Sequence, residues 1–147
     1  MRVVVCRVDG AECVIDGEMV SKIEKGLLLF VGFGIDDTEN DVIKVADKVG
    51  KLRIFPDENG KISRSTAEVN GSAMAISNFT LYGRVKSTNR PDFTKSCPGE
   101  RANVYFELFK SRLATFLPVK SGIFATHMHV SAQNDGPVTL IVDSAEL

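Results

Sequence analysis

The sequence has no tryptophan, two histidines, three cysteines and a formal net charge of only −1 over 147 residues. The cysteines Cys6, Cys13 and Cys97 are odd in number and none stands in a C-x-x-C pair, which argues against a disulfide framework and a zinc knuckle. A reducing compartment suits such a chain, so we expect a cytoplasmic protein. Because a nearly neutral protein has no global field that attracts nucleic acid, RNA binding would have to come from a local basic patch or a shaped pocket.

The sequence also lacks a long apolar run. The longest one, residues 26–34, is much too short to cross a bilayer, and the first ten residues follow a strand pattern without the features of a signal peptide. We therefore expect neither a membrane segment nor a signal peptide. A hydrophobic fraction of 44% with 25% charged residues is ordinary for a globular protein, and the length predicts one domain over residues 1–147.

Hydrophobic periodicity predicts both strands and helices. The first part of the chain reads as three strands, two of them joined by a turn at Asp16-Gly17, and two amphipathic helices follow, one behind Thr38 as N-cap and one over residues 100–117. Their apolar faces consist of Val42, Ile43, Val45, Ala46, Val49 and Leu52, and of Ala102, Tyr105, Phe106, Phe109, Leu113 and Phe116. Because several strands are joined by hairpins rather than by helical crossovers, we predict a single-domain α+β fold, with a largely antiparallel sheet in barrel-like layers and two main helices.

Two polar or mixed segments separate these helices. Residues 56–66 predict a surface hairpin or loop. Residues 71–83 alternate and predict one long strand, with Asn78, Thr80 and Tyr82 on one face. The polar side chains of that face are then either exposed on an edge strand or directed into a pocket.

The segment of residues 84–99 is the longest one without periodicity. Long loops in compact domains are often functional, and an excess of basic residues makes this one a plausible contact for RNA phosphates. Its basic residues are Arg84, Lys86, Arg90 and Lys95. Cys97 lies in the same loop, but nothing in the sequence places a base beside it, so an inert thiol is favoured.

The C-terminal segment predicts two strands that meet at NDGPVT, residues 134–139. Asparagine, aspartate and glycine make two-residue turns easily, but Pro137 removes an N–H that a neighbouring strand could use. One interpretation is a plain hairpin with a proline at the start of its second strand. The other interpretation gives the Gly136-Pro137 backbone a task of its own.

The remaining motifs predict little chemistry. The sequence GFG at residues 32–34 lacks the third glycine of a dinucleotide-binding fingerprint. His127 and His129 are two residues apart and could share one face, but no third metal ligand is near them, so we interpret them as solvated or hydrogen-bonded. Neither stands in a motif with an orienting acid, which disfavours a Ser-His-Asp triad. We therefore expect no metal and no cofactor.

Two segments resemble the signatures of a known family. SNFTLYG, residues 77–83, is similar to the Ser-Gln-Phe-Thr-Leu motif of D-aminoacyl-tRNA deacylases, and NDGPVT is similar to their second signature. The likeness continues in order through RVVVCRV, LRIF, RPDFTK, ERANVYFELF and GIFATHMHVS, so it covers nearly the whole chain. Asn78 departs from the family, which usually has glutamine there. The amide is retained on a side chain one methylene shorter, so its contact with a substrate would be longer or bridged by water.

The resemblance implies an enzyme, a carboxylic ester hydrolase that releases tRNA from a D-amino acid, or from glycine mischarged on tRNA(Ala), and spares L-aminoacyl-tRNA. It implies a homodimer, with neither DNA nor a membrane as partner. In that dimer a cis Gly136-Pro137 bond of one subunit would act as a chirality filter in the active site of the other. The implied catalytic residues are Ser77, Asn78, Phe79 and Thr80, and the implied adenosine pocket contains Phe124 and Met128.

Several alternatives stay open. Thr80 could be a nucleophile, or the 2'-hydroxyl of the terminal ribose could help to activate water while backbone N–H groups near Phe79 and Thr80 orient the carbonyl. The absence of an identifiable base near Thr80 favours the second mechanism. Phe124 and Met128 could equally be ordinary strand core. The whole chain could be a catalytically weak RNA- or nucleotide-binding module on the same scaffold, or an esterase of broad range for D-amino acid esters.

Overall fold

The computed structural model describes residues 1–86 and 89–147, and these residues contain eight strands and two long helices. The strands are β1 (Arg2–Ile15), β2 (Glu18–Ile23), β3 (Gly26–Gly32), β4 (Phe55–Pro56), β5 (Ile62–Arg64), β6 (Ser72–Ser77), β7 (Val119–Ser121) and β8 (His129–Asp143). Six of these strands form the main sheet, and the other two, β4 and β5, form a separate two-stranded antiparallel sheet. The helices are α1 (Glu39–Lys51) and α2 (Gly99–Leu113), with short 3₁₀ helices at Phe79–Tyr82 and Ser144–Glu146. The prediction of an α+β fold with two main helices is confirmed.

The main sheet is mixed. Its strand order is β2-β1-β3-β6-β7, and β8 pairs with β1. β1 runs antiparallel to β2, β3 and β8, whereas β3–β6 and β6–β7 are parallel pairs. The parallel pairs arise because α1 and α2 lie in the two long connections between these strands. The antiparallel part of the prediction therefore holds for the strands that pair with β1.

β1 is long enough to pair with two strands in succession along one edge. Its residues up to Val8 pair with β3, and its residues from Ala11 onward pair with β2, which curves the sheet towards a barrel-like layer. The predicted turn between β1 and β2 is confirmed, since Asp16 and Gly17 have φ angles of 50° and 80°, as a two-residue hairpin turn requires.

The hairpin predicted at NDGPVT is wrong, because residues 134–139 lie inside the single strand β8. Asn134 is opposite Val8 and Thr139 is opposite Cys6, so the four residues 135–138 of β8 face one residue, Arg7, of β1. This segment, the β8 bulge, bows out of the pairing. A proline is tolerated there because the bulged residues do not pair with β1, so no hydrogen bond is lost when proline has no N–H.

Both helices bury the faces that the sequence predicted. Thr38 caps α1, accepting a hydrogen bond from the Asp41 amide (3.3 Å) while its own amide donates to the Asp41 carboxylate (2.9 Å). The helices are joined by a bidentate pair between Arg112 and Asp47, at 2.5 and 2.9 Å. Three predicted positions differ. Ile43 is 36% exposed. Leu52 and Phe116 lie just beyond the helix ends and are half-buried, since α2 ends at Leu113 rather than at residue 117. No helix in the described part of the chain is long and apolar enough to span a membrane.

The strand β3 is buried on both of its faces, which explains the unbroken apolar run at residues 26–34. Leu27 and Leu29 belong to the core between the sheet and the helices, whereas Leu28 belongs to a second core on the other face. Successive side chains of a strand point to opposite faces, so a strand buried on both faces shows no alternation. The second core also contains Cys13 and Met74.

The long strand predicted over residues 71–83 is wrong in its second half. The strand ends at Ser77, and the 3₁₀ helix of Phe79–Tyr82 follows. The Asn78 amide still donates to the Val31 carbonyl (2.7 Å), but β3 ends one residue later and offers no further partners. The chain therefore turns, and Asn78, Thr80 and Tyr82 do not form the face of a strand.

Candidate active site

A cavity of about 530 Å³ lies where the parallel strands β3 and β6 end. Parallel neighbours end at the same edge of a sheet, so the residues that follow them are brought together there. The other walls come from the start of α2 with the loop before it, and from the turn of Phe124, Ala125 and Thr126 between β7 and β8. Ala125 in this turn has a φ of 58°, which keeps the turn tight.

The cavity collects four of the eight residues that the sequence predicted as functional. Ser77, Asn78, Phe79 and Phe124 line it. Met128 does not line it and packs instead against the second core, where the absence of a side chain at Gly122 makes room for it. Its role in an adenosine pocket stays a prediction.

Thr80 is exposed at the edge of the cavity and is tied to Asn78. Its Oγ1 donates a hydrogen bond of 2.5 Å to Asn78 Oδ1. This bond fixes the orientation of the shorter amide at the position where the family usually has glutamine. Because Oδ1 is engaged, Asn78 Nδ2 is left to donate, and it has no partner among the described residues.

Two backbone N–H groups are available beside Asn78. The first hydrogen bond of the 3₁₀ helix runs from the Leu81 amide to the Asn78 carbonyl (3.4 Å), so the amides of Phe79 and Thr80 come too early in the helix to find a partner within it. In residues 1–86 and 89–147, no other acceptor pairs with them. Two adjacent free donors can bind an oxygen atom that carries negative charge.

The cavity wall has no side chain suited to act as a general base. None of the described residues that line it carries a carboxylate, an amine or an imidazole. Cys97 lies in the wall, 7% exposed, and its Sγ accepts a hydrogen bond of 3.1 Å from Arg101, which is a cation rather than a base. The described part of the chain also contains no cluster of three or more metal-ligating side chains. His127 and His129 are both exposed, with ring centroids 5.1 Å apart.

Tyr82 is the last residue of the 3₁₀ helix and does not line the cavity. Burial and the nearby Asp37 carboxylate raise the pKa of Tyr82 well above its usual range, so its hydroxyl stays protonated. The hydroxyl donates to Asp37 (3.4 Å), and the Arg2 guanidinium lies 4.8 Å from the ring centre. The group is therefore a structural donor and is unsuited to accept a proton.

Hydrogen bonds hold the two sides of the basic loop together and connect the loop to the cavity edge. Arg84 and Asp92 pair through both backbone hydrogen bonds (2.8 and 2.9 Å) and through a side-chain contact of 2.5 Å. Hydrogen bonds from the Thr94 amide and from Arg84 lower the pKa of Asp92 to about 2, so it remains charged. Ser96 Oγ donates to the Phe79 carbonyl (3.0 Å), which joins the loop to the cavity edge. Residues 87 and 88 of the predicted phosphate contact lie outside the described residues.

Gly136 and Pro137 do not line the cavity of their own chain. Their peptide bond is cis, and Gly136 has a φ of 125°. The cavity lies level with Val31, which pairs with Val3 of β1, whereas the β8 bulge faces Arg7. Four strand residues span about 13 Å, so one chain holds the bulge well away from its own cavity.

Comparison with known proteins matches residues 4–143 to the D-Tyr-tRNA(Tyr) deacylase family. The chain belongs to this family. The D-aminoacyl-tRNA deacylase of Thermotoga petrophila is 45% identical over 148 residues, which cover 100% of this chain and 99% of that protein. The prediction of the family from SNFTLYG and NDGPVT is confirmed.

Two solved structures share the deacylase fold. One, described as c-Myc DNA Unwinding Element Binding Protein, is 35% identical with a TM-score of 0.91, and the match covers 97% of this chain and 98% of that one. The other, described as a probable eukaryotic D-amino acid tRNA deacylase, is 16% identical with a TM-score of 0.80, covering 96% and 97%. The second similarity concerns the fold alone.

Sequence reasoning missed some residues that shape this deacylase-family site. Ser96 and Ala125 carried no signal beyond their place in irregular segments. Arg7 did carry one, because alternation puts it on the same face of β1 as Val3 and Val5, which are fully buried. A charged residue on a buried face needs partners, and Arg7, at 8% exposure, finds them in the Ile54 carbonyl and in Asp135 of the β8 bulge.

Proposed function

We propose that this chain hydrolyses the ester bond between a D-amino acid and the terminal adenosine of tRNA, in the cytoplasm, and releases free tRNA. The observation that carries the proposal is the position of the SNFTLYG segment, whose Ser77, Asn78 and Phe79 line a cavity large enough for an aminoacylated nucleoside. The family membership of the chain supports the same reaction. Phe124 lines the cavity and offers a flat surface for adenine, and Met128, which packs against the second core, is the second proposed contact.

In the proposed mechanism, the free amides of Phe79 and Thr80 bind the ester carbonyl oxygen. Water adds to the carbonyl carbon, and the negative charge that develops on that oxygen is stabilised by the two N–H groups. Because the described residues of the cavity wall include no base, the 2'-hydroxyl of the terminal ribose assists by accepting a proton from water while it passes its own proton to the ester's ribose oxygen. The bond from the carbonyl carbon to the ribose oxygen then breaks, and that oxygen takes up a proton.

Replacing Thr80 with alanine separates the two mechanisms left open by the sequence. If Thr80 only orients Asn78, Thr80→Ala should lower kcat about tenfold, because one ordinary hydrogen bond is lost. If Thr80 were the nucleophile, kcat should fall by many orders of magnitude while substrate binding remained. The measurement is single-turnover deacylation of D-tyrosyl-tRNA, with Thr115→Ala, an exposed threonine on α2's C-terminal side, as the matched control.

A substrate that lacks the 2'-hydroxyl tests the RNA-assisted step directly. The D-tyrosyl ester of 2'-deoxyadenosine should be hydrolysed about a hundredfold more slowly than the ester of adenosine, the usual contribution of a positioned proton-transfer group. Equal rates would overturn this part of the mechanism and leave the deacylase activity in place.

We further propose that the active site is completed by a second copy of the chain, which inserts its Gly136-Pro137. The β8 bulge stands about 13 Å from its own cavity along the strand, and β8 is an edge strand with Ile141 69% exposed, which suits an interface between two subunits. A glycine lets the backbone approach the substrate closely and leaves no room where an L side chain would project. Glycine has no side chain and should pass, so glycine mischarged on tRNA(Ala) is also a proposed substrate.

The filter is tested by matched deacylation of D-tyrosyl-, L-tyrosyl- and glycyl-tRNA. We expect rapid hydrolysis of the D and glycyl esters and sparing of the L ester, and equal hydrolysis of D and L would overturn the filter. Mixing tests the contribution from the second copy. A Phe79→Pro variant lacks one backbone donor in its own cavity, and a Gly136→Val variant lacks the filter that it would insert into its partner. When the two are co-expressed, D-selective activity should return, because the intact cavity of one chain meets the intact Gly136 of the other.

The runner-up function is a nucleic-acid-binding module without activity. It is favoured by the similarity to a protein whose description names a DNA unwinding element, and disfavoured by the net charge of −1. Adding D-tyrosyl-tRNA and finding no free tyrosine would support it. Hydrolysis of D-amino acid esters that lack adenosine would instead indicate an esterase of broad range.

A further inference from the structure

Two aromatic rings are exposed at the mouth of the cavity. Phe79 is 57% and Phe93 37% exposed, and their rings meet edge to face with centroids 5.1 Å apart. A buried ring needs no explanation, but an exposed pair of large apolar side chains indicates a surface that another molecule covers. We call these two side chains the Phe79–Phe93 pair.

The pair is held in a fixed position. Gly83 leaves room for Phe93, since a Cβ at that position would lie 2.9 Å from the edge of its ring. The paired Arg84 and Asp92 close the loop just before Phe93, and Ser96 joins the loop to the Phe79 carbonyl. A rigid aromatic surface loses little conformational entropy when a ligand stacks on it.

The surroundings of the pair carry positive charge. Lys86 and Lys95 are exposed and form no ion pair with any residue that the structure describes. The acid of this loop, Asp92, is already paired with Arg84 at 2.5 Å. The loop is therefore locally basic in a chain whose net charge is −1, so a polyanion can bind here although the whole chain does not attract one.

We propose that the Phe79–Phe93 pair stacks an unpaired nucleotide that precedes the terminal adenosine of tRNA, with Lys86 and Lys95 contacting its phosphates. The inference rests on the proposed function, because it takes the adenosine to occupy the cavity that Phe79 lines. Aromatic faces flanked by lysines or arginines are the usual means by which proteins hold single-stranded RNA. The pair thus extends recognition from the terminal nucleoside to the single-stranded 3' end.

The test compares two substrates and two variants. D-tyrosyl-tRNA has the nucleotides that the pair would bind, whereas the D-tyrosyl ester of adenosine lacks them. Phe93→Leu keeps an apolar side chain against Phe79 but removes the flat ring, and should lower kcat/KM for the tRNA about tenfold, mainly through KM. The loss with the adenosine ester should be several-fold smaller, and Phe93→Tyr, which keeps the ring, should restore the activity on tRNA.

Ile62→Ala serves as the control, because Ile62 is similarly exposed (52%) on β5 and lies in no proposed site. The inference would be overturned if Phe93→Leu lowered kcat/KM equally for both substrates, or did not lower it for the tRNA. The inference would also be overturned if sedimentation showed that Phe93→Leu changes the number of subunits in the protein, because the pair would then belong to a subunit interface.

Binding of the RNA trinucleotide CCA, followed by fluorescence anisotropy, decides the inference independently of catalysis. Wild type should bind CCA about tenfold more tightly than Phe93→Leu does. Lys95→Ala should also bind it more weakly than wild type, and this difference in affinity should decrease as the salt concentration rises. If wild type hydrolysed neither ester, the proposed function would fail, and this measurement alone would decide whether the pair binds RNA. Equal binding by wild type and Phe93→Leu would overturn the inference.

Discussion

Arg7 is the buried cation that holds the β8 bulge, and its replacement should destabilise the protein measurably. Its Nη1 donates to the Ile54 carbonyl (2.7 Å), and its Nε contacts Asp135 at both the carboxylate (2.9 Å) and the carbonyl (3.3 Å). The side chain thus connects β1, the segment after α1 and the bulge. Arg7→Met keeps most of the apolar stem and removes all of these bonds.

The expected loss follows from what Arg7→Met leaves behind. A buried carbonyl at Ile54 without its donor costs about 1–3 kcal/mol, and breaking a buried ion pair costs about 3–5 kcal/mol. The Asp135 side chain is 33% exposed, so water replaces part of the lost interaction and the second figure must be reduced. We therefore expect the free energy of unfolding to fall by about 3 kcal/mol.

The assay is urea unfolding followed by far-ultraviolet circular dichroism, at one fixed protein concentration because an oligomer's stability depends on it. Arg2→Met is the matched control. Arg2 also lies on β1 and also pairs with a carboxylate of β8, Asp143 (2.6 Å), but its side chain is 45% exposed and the loss should stay below about 1 kcal/mol. Equal losses for the two variants would refute the argument that burial makes Arg7 structurally decisive.

Two further predictions concern the sheet and the basic loop. Gly26→Ala should cost about 3 kcal/mol or more in urea unfolding, because its Cβ would lie 1.8 Å from the Ser72 carbonyl oxygen in the parallel β3–β6 pair, whereas Gly10→Ala, with its nearest contact at 3.5 Å, should be tolerated. The low pKa of Asp92, about 2, means that its paired charge contributes stability above about pH 4 that is lost as the pH falls through 2. Asp92→Asn should therefore remove part of the decrease in urea midpoint between pH 4.5 and pH 2.5, and an unchanged decrease would contradict this assignment.

Local chemistry was sufficient to predict the helices and the first hairpin. The α1 boundary follows from the Thr38 cap and from an apolar period of 3.6 residues, both of which depend on neighbours within one turn. The turn at Asp16-Gly17 likewise needs only residues that tolerate positive φ. These elements are determined by contacts close in the chain, so sequence patterns report them well.

The ends of strands were less predictable because they depend on distant partners. The alternation of residues 71–83 continues past Ser77, but the hydrogen bonds stop where β3 stops, and β3 lies more than forty residues earlier in the chain. The same reason explains the β8 bulge. Nothing within residues 134–139 distinguishes a hairpin from a bulge, because the difference lies in whether β1 continues on both sides.

The candidate site is formed where regular pairing stops, and this explains why side-chain motifs alone describe it poorly. Ser77 ends β6 and Asn78 follows it, Ala125 turns with a positive φ, and Gly136 lies in the bulge of β8. Each interruption leaves backbone N–H or C=O groups without partners in the sheet. Because the neighbouring hydrogen bonds of the sheet already fix their positions, these groups can bind a ligand without further reorganisation. Polar recognition in this cavity, which has no charged side chain in its described wall, must therefore come largely from the main chain. Substitutions that change backbone geometry should consequently impair such a site more than the removal of any single polar side chain.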